Sequence, residues 1–174
     1  FAGHGLVSND GKELYLLAQD SDADLLQRTA LSRTEIFQKI VKLNPKSTTI
    51  FLDACYTGFS RENEMLLAAA RPVRIVADEK ESIPDNFTIF TASQIDQISS
   101  GLKEAKHGIF SYYLMKGLEG KADSNKDYKI TNGELLAYMD ENVSQKASTY
   151  NRQQNPSLAG NPEQILMSYR WNAY

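Results

Sequence analysis

Cysteine occurs once in 174 residues, at Cys55, so no internal disulfide framework can form. A chain of this size without disulfides is expected in a reducing cytoplasm. Basic charge is thin as well: 19 lysines and arginines face 22 acidic residues, the formal net charge is −3, and no basic block occurs. Nucleic-acid binding, which takes clustered cations against phosphate, is therefore not expected. No run approaches the roughly eighteen apolar residues of a membrane span, and no signal-peptide pattern is visible, so no membrane partner is expected. Histidine occurs only at positions 4 and 107, which narrows any imidazole chemistry to two candidates. What is present suffices for one domain, since 41% of the residues are apolar and can form a core of ordinary size.

The lone cysteine closes the stretch Thr48-Thr49-Ile50-Phe51-Leu52-Asp53-Ala54-Cys55-Tyr56-Thr57-Gly58. An apolar, β-branched run bounded by turn formers predicts a buried, parallel strand with Cys55 at its carboxyl end. In open α/β sheets ligands bind at that end. A cysteine by itself is commonly a small buried hydrophobe. This one has a counterpart in Phe1-Ala2-Gly3-His4-Gly5. A histidine between two glycines sits on backbone that can turn sharply and approach a substrate closely. An imidazole near a thiol can take its proton and release the nucleophilic thiolate.

Gly3-His4-Gly5 and Leu52-Asp53-Ala54-Cys55-Tyr56-Thr57-Gly58, with 51 residues from His4 to Cys55, resemble the caspase family of cysteine peptidases, whose histidine precedes the cysteine by about fifty residues. The likeness is closer to bacterial caspase-like proteins and metacaspases than to animal caspases. His107-Gly108-Ile109-Phe110-Ser111-Tyr112-Tyr113-Leu114, Asn155-Pro156 and Gly160-Asn161-Pro162 are also similar to bacterial members. Asp53 stands where animal caspases have glutamine, and Tyr56 departs from their pattern too. The resemblance implies a three-layer α/β/α sandwich with a mainly parallel sheet and at least two strands ahead of Phe1. It implies a large-subunit part over residues 1–76, an exposed linker over 77–86 and a small-subunit-like part over 87–174. Activation cleavage would fall near that linker, where Arg71, Arg74 and Lys80 are either cut sites or ordinary surface cations.

By the same resemblance Cys55 is the nucleophile, His4 the base and acid, and the backbone N–H groups of Gly5 and Cys55 the oxyanion donors, with no cofactor required. The implied partners are a protein or peptide substrate and the chain's own N-terminal segment or other domains of the parent protein. The implied role is regulated proteolysis in stress, defence or cell death; the alternative is a non-catalytic caspase-fold scaffold or calcium-responsive interaction module, against which the intact His4 and Cys55 weigh. Animal caspases supply an arginine for a substrate aspartate where this chain reads Ile98-Ser99-Ser100-Gly101. Asp53 instead lies two residues before Cys55, on the same side of a strand, where metacaspases carry an acid in the first specificity pocket. A buried acid there suits a substrate Arg or Lys, so cleavage after those residues is expected. The other reading of Asp53 is that it orders the turn by bonding backbone amides. Asp20, in Gln19-Asp20-Ser21-Asp22-Ala23-Asp24, is similar in position to a pocket residue of metacaspases. That cluster is either a solvated loop or, with Asp22 or Asp24, a holder of calcium, which metacaspases bind near such a cluster.

The rest of the pattern builds a scaffold. Asn9-Asp10-Gly11-Lys12 is a turn signal, followed by a short strand over residues 14–17. Ser32 and Glu35 form a capping box ahead of a helix with Ile36, Phe37, Ile40, Val41 and Leu43 on one face. Strand, helix and the cysteine strand then read as one right-handed crossover of a parallel sheet. A helix over 62–70, a strand over 73–76, a strand over 87–91 and a loop over 92–101 follow. Phe110, Tyr113, Leu114 and Leu118 mark a helix with His107 at its solvated entrance. Asp123, Asn125, Asp127 and Glu134 match a calcium-loop template, but Tyr128 replaces its glycine, and a Thr131–Glu134 capping box explains the same residues. Leu135, Tyr138, Met139 and Val143 predict a buried helix face, residues 151–161 a polar loop, and residues 164–169 a closing strand.

Overall fold

The computed structural model describes residues 1–8, 10–54, 84–92 and 107–169, with the backbone of 101–102. The expected helix over 62–70, the strand over 73–76, most of the linker and the candidate cut sites lie outside the described residues, and so does Cys55. Gly5–Val7 (β1) and Leu14–Leu16 (β2) form an antiparallel hairpin, because the intervening polar turn reverses the chain. Its Asp10 carboxylate accepts from the Ser8 hydroxyl at 2.5 Å and from the Lys12 N–H at 3.2 Å. After the short helix Leu26–Thr29 (α1), Leu31–Ser32 (β3) adds antiparallel to β2. Ser32 then caps Arg33–Lys42 (α2), its hydroxyl accepting from the Glu35 N–H at 3.1 Å.

Thr48–Leu52 (β4) and Phe87–Thr91 (β5) pair in parallel, Thr48 opposite Phe87 and Leu52 opposite Thr91. Gly101–Leu102 (β6) and His107–Gly108 (β7) form a small antiparallel pair leading into Ile109–Lys116 (α3). Lys129–Thr131 (β8) precedes the long helix Asn132–Ser148 (α4), whose start has both arms of the Thr131–Glu134 capping box. Ser157–Ala159 (β9) returns antiparallel along β5, and Ile165–Ser168 (β10) pairs with β8.

Two expectations about connectivity need correction. The strand at 14–17 is not part of the cysteine strand's sheet: both edges of β2 are taken by β1 and β3, so it belongs to a separate antiparallel sheet. The crossover into β4 starts instead from residues 1–3, since Ala2 bridges in parallel to Asp53. The polar loop expected over 151–161 contains β9, whose three residues Ser157, Leu158 and Ala159 are too few and too mixed to show a period. Tight docking there demands glycine: Gly160 has φ 135°, and a Cβ would stand 2.9 Å from the Phe87 carbonyl oxygen.

Period-two alternation on the central strands divides the core in two. Phe51 and Phe90, stacked at 5.2 Å, face one way. Phe90 is buried with Ile109, Phe110, Ile130, Leu135, Met139 and Val143, and Phe51 packs against this cluster, so α3 and α4 cover that side. Ile50, Leu52, Ala54 and Ile89 face the other way, onto Leu14 and Leu16 of β2 and onto Ile36 and Phe37 of α2. This is the α/β layering implied by the sequence, with β9 as an antiparallel member of the sheet. The face expected on α2 is only partly used, because Val41 is 46% and Leu43 80% exposed.

Phe90, fully buried between sheet and helices, fills space that its neighbours cannot reclaim. Phe90→Ala is expected to lower stability by about 3–5 kcal/mol, whereas Leu43→Ala should change it by less than about 0.5 kcal/mol. Denaturant midpoints with unchanged slopes measure both, and equal midpoints for the two variants would contradict this placement of the core.

Candidate active site

Three backbone hydrogen bonds zip the first residues of the chain to the end of β4. The Phe1 amine donates to the Phe51 carbonyl at 2.9 Å, Asp53 N–H to the Phe1 carbonyl at 2.9 Å, and Gly3 N–H to the Asp53 carbonyl at 3.0 Å. Because the pairing is parallel, both segments run out at the same end of the sheet. His4 follows directly on one and Ala54 on the other. The next N–H of the small sheet holds His4 from the far side, Leu17 donating to its carbonyl at 2.9 Å. His4 thus stands where the chain leaves one sheet and enters the other.

The glycines around His4 are not called for by an unusual backbone. Neither has a positive φ, Gly5 opens β1 as ordinary strand, and a Cβ on Gly3 would lie 2.7 Å from the Phe1 ring. The Nδ1 of His4 is buried and has no hydrogen-bond partner among the described residues. A neutral imidazole needs a donor or acceptor at each nitrogen, and a buried one left unmatched costs on the order of 1–3 kcal/mol.

Asp53 is buried, 2% exposed, on the same side of β4 as Phe51. Its Oδ2 accepts from the Ser111 hydroxyl at 2.5 Å and from the Ser111 N–H at 3.3 Å. Ser111 is the third residue of α3, in the first turn, where N–H groups lack helical acceptors and the helix dipole favours an anion. No role for Ser111 was legible in the sequence. The signal that could have found it is the need of a buried carboxylate on β4 for donors, matched to a serine in the first turn of the covering helix.

The remaining candidates are more dispersed. Asp20 is exposed in the turn after β2. Asp22 is exposed and caps a short turn, its carboxylate accepting from the Asp24 N–H at 2.9 Å. His107 is exposed at the entrance to α3, as expected. Cys55, one residue past Ala54, lies outside the described residues.

The oxygens of the 123–134 loop serve its own backbone. Asp123 accepts from Asp127, Tyr128 and the Tyr169 hydroxyl, Asn125 from Asp127, and Asp127 from Lys129, at 2.9–3.2 Å. Tyr128 adopts φ 66° in place of the template's glycine. Glu134 is turned into its cap, accepting from Thr131 and from the Ser124 hydroxyl. Among the described residues no three of His, Cys, Asp and Glu come together as a metal site.

A family model described as the caspase domain, of a peptidase family, matches residues 1–164. No curated protein matches the chain.

The backbone N–H of Thr131, with the Thr131 and Ser124 hydroxyls, holds the Glu134 carboxyl below the usual glutamate range against the effect of burial. A carboxyl lowered in the folded state contributes stability above the unfolded value of about 4.3, and loses it as pH falls through the lower folded value. Glu134→Gln is therefore expected to cost about 0.3–1.5 kcal/mol at pH 7 and to narrow its gap to the parent below pH 4. Thermal melts across pH 2–7 check this, and a gap that widens in acid contradicts it.

Proposed function

Because the chain belongs to the caspase domain family, we propose that it is a cysteine endopeptidase in which Cys55 is the nucleophile and His4 the general base and acid. The parallel ladder between residues 1–3 and 51–53 carries this reading. Its last bridged pair is Ala2 and Asp53, and in sequence His4 follows two residues after the one as Cys55 follows two residues after the other. The buried, unmatched Nδ1 of His4 supports a role in proton transfer.

In the first half of the reaction His4 takes the thiol proton. The thiolate sulfur attacks the scissile carbonyl carbon, a C–S bond forms, and the carbonyl π electrons move to oxygen. The N–H groups of Gly5 and Cys55 stabilise that oxyanion, each such donor being worth about 3 kcal/mol of barrier. Collapse breaks the C–N bond as imidazolium gives its proton to the departing amine. Water, deprotonated by His4, then attacks the thioester and releases the new carboxyl terminus and the thiol.

The preferred residue before the cleaved bond is Arg or Lys, with Asp53 and Asp20 as the acidic wall. Of the two acids Asp53 is bonded to the segment ahead of His4, while Asp20 is exposed and near it only along the chain. Asp53 pairs with residues 1–3, and Asp20 follows three residues after Leu17, which bonds the His4 carbonyl. A regulated role in stress, defence or cell death is assigned by analogy with the family alone.

Cys55→Ala and His4→Ala should each lower kcat by about a thousandfold or more, while His107→Ala stays within about twofold of the parent. Steady-state cleavage of peptides with Arg, Lys, Asp, Asn or norleucine at the cleavage position measures this. Undiminished activity in Cys55→Ala would overturn the assignment of the nucleophile, and a preference for Asp would overturn the acidic wall.

A further inference from the structure

The small sheet has two faces, and only one of them belongs to the core. Leu14 and Leu16 of β2 pack into the cluster beneath the central sheet, so Tyr15 between them faces the other way, beside Leu6 of β1 and Ser32 of β3. Tyr15 is nevertheless only 6% exposed. An open cleft of about 470 Å³ lies against it, with Asp10 of the hairpin turn on one side and Asp24, Leu25, Leu26 and Arg28 on the other. The cleft has the size of a small-molecule site, and none of His4, Asp20 and Asp53 lines it. A tyrosine buried to this extent usually finds a partner for its hydroxyl. Among the described residues the Tyr15 hydroxyl has none.

The walls carry charge of both signs. Asp24 and Arg28 are exposed at i, i+4 spacing, yet neither side chain has a hydrogen bond or ion pair among the described residues. Asp10 is held below the usual carboxylate range by the Ser8 hydroxyl and then by the Lys12 N–H, so it is ionised at neutral pH. Burial first, and then the carboxylates of Glu13, Asp10 and Glu35, push the Tyr15 hydroxyl above the usual tyrosine range. The field at the floor is therefore negative although Arg28 stands in the wall. It favours a donor that carries positive charge. Leu25, 48% exposed, and Leu26 offer an aliphatic stem an apolar surface to lie on.

We propose that this cleft binds an alkyl chain ending in an ammonium or guanidinium group, with the Tyr15 hydroxyl and the Asp24 carboxylate as acceptors and Leu25 and Leu26 along the stem. Asp10, whose carboxylate already bonds Ser8 and Lys12, contributes charge rather than a contact. A lysine or arginine side chain of a peptide and a free alkylamine present the same group. The cleft is separate from the proposed peptidase site, and the inference does not depend on Cys55.

Backbone amide NMR of the full chain, titrated with n-pentylammonium, 1-pentanol and pentanoate, tests the proposal. It is read at residues 23–28, so that binding at the acidic wall of the peptidase site does not count. Pentylammonium is expected to shift these amides to saturation, while the alcohol and the carboxylate leave them in place at about ten times its Kd. Tyr15→Phe and Asp24→Asn should each weaken binding about threefold to tenfold. Arg28→Gln should leave it unchanged or tighten it by up to about threefold, since it removes a like charge. A Gly-Lys-Gly peptide separates the sources: tighter binding than pentylammonium assigns the cleft to a peptide side chain, weaker binding to a free amine. Shifts with pentanol equal to those with pentylammonium would make the cleft merely apolar, and shifts with pentanoate that Arg28→Gln abolishes would make it an anion site. Either result overturns the proposal, as do unshifted amides with every probe. Should Tyr15→Phe not fold, exposed Asp24 carries the test, and unchanged affinity in Asp24→Asn overturns the assignment.

Discussion

Parallel pairing between the first three residues and the end of β4 is the constraint on which everything else in this molecule depends. Fifty residues separate the two segments, and closing that distance costs chain entropy that no single side-chain contact would offset. Three backbone bonds, backed by a strand that packs against a core cluster on each face, hold the closure. Parallel direction matters as much as proximity. Antiparallel pairing would send the two chains out at opposite ends of the sheet, whereas here the imidazole-bearing loop and the chain bound for the cysteine depart together.

Around that ladder the fold supplies rigidity on each side and leaves the chemistry to the loops. The Ala92 N–H donates to the Leu52 carbonyl at 2.9 Å, and buried Gln154 donates to the Ala92 carbonyl at 3.0 Å. The sheet tip is thus stitched sideways from β4 to β5 and on to the segment ahead of β9. Ser111 ties the same tip upward into α3, and Leu17 ties His4 downward into the small sheet.

What the sequence made legible followed from strong local signals. The β-branched runs at 48–52 and 87–91, the Thr131–Glu134 box and the apolar face of α4 are each present, with Tyr138 of that face only partly buried. Membership of the caspase family was legible in two short motifs at one spacing. Less was legible where partners are distant. The sheet to which residues 14–16 belong depends on which edges β1 and β3 occupy, and no periodicity encodes that. β9 is three residues long and takes its conformation from β5. The Asp53–Ser111 link joins residues 58 apart, and its sequence trace is a single serine in a helix's first turn. At 123–134 the template for a calcium loop and the grammar of a capped turn use the same residues, and the bonds of the capped turn are present.

The central claim is spatial: the thiol of Cys55 and the imidazole of His4 meet at the carboxyl end of the sheet with room for a carbonyl between them. A crystal structure of the chain treated with a peptide aldehyde ending in arginine tests it most directly. The account predicts a thiohemiacetal on the Cys55 sulfur, an imidazole nitrogen of His4 within hydrogen-bond distance of the trapped group, and its oxygen aimed at the N–H groups of Gly5 and Cys55. A sulfur sealed beneath aliphatic side chains, or an imidazole on the opposite face of the sheet, would contradict it.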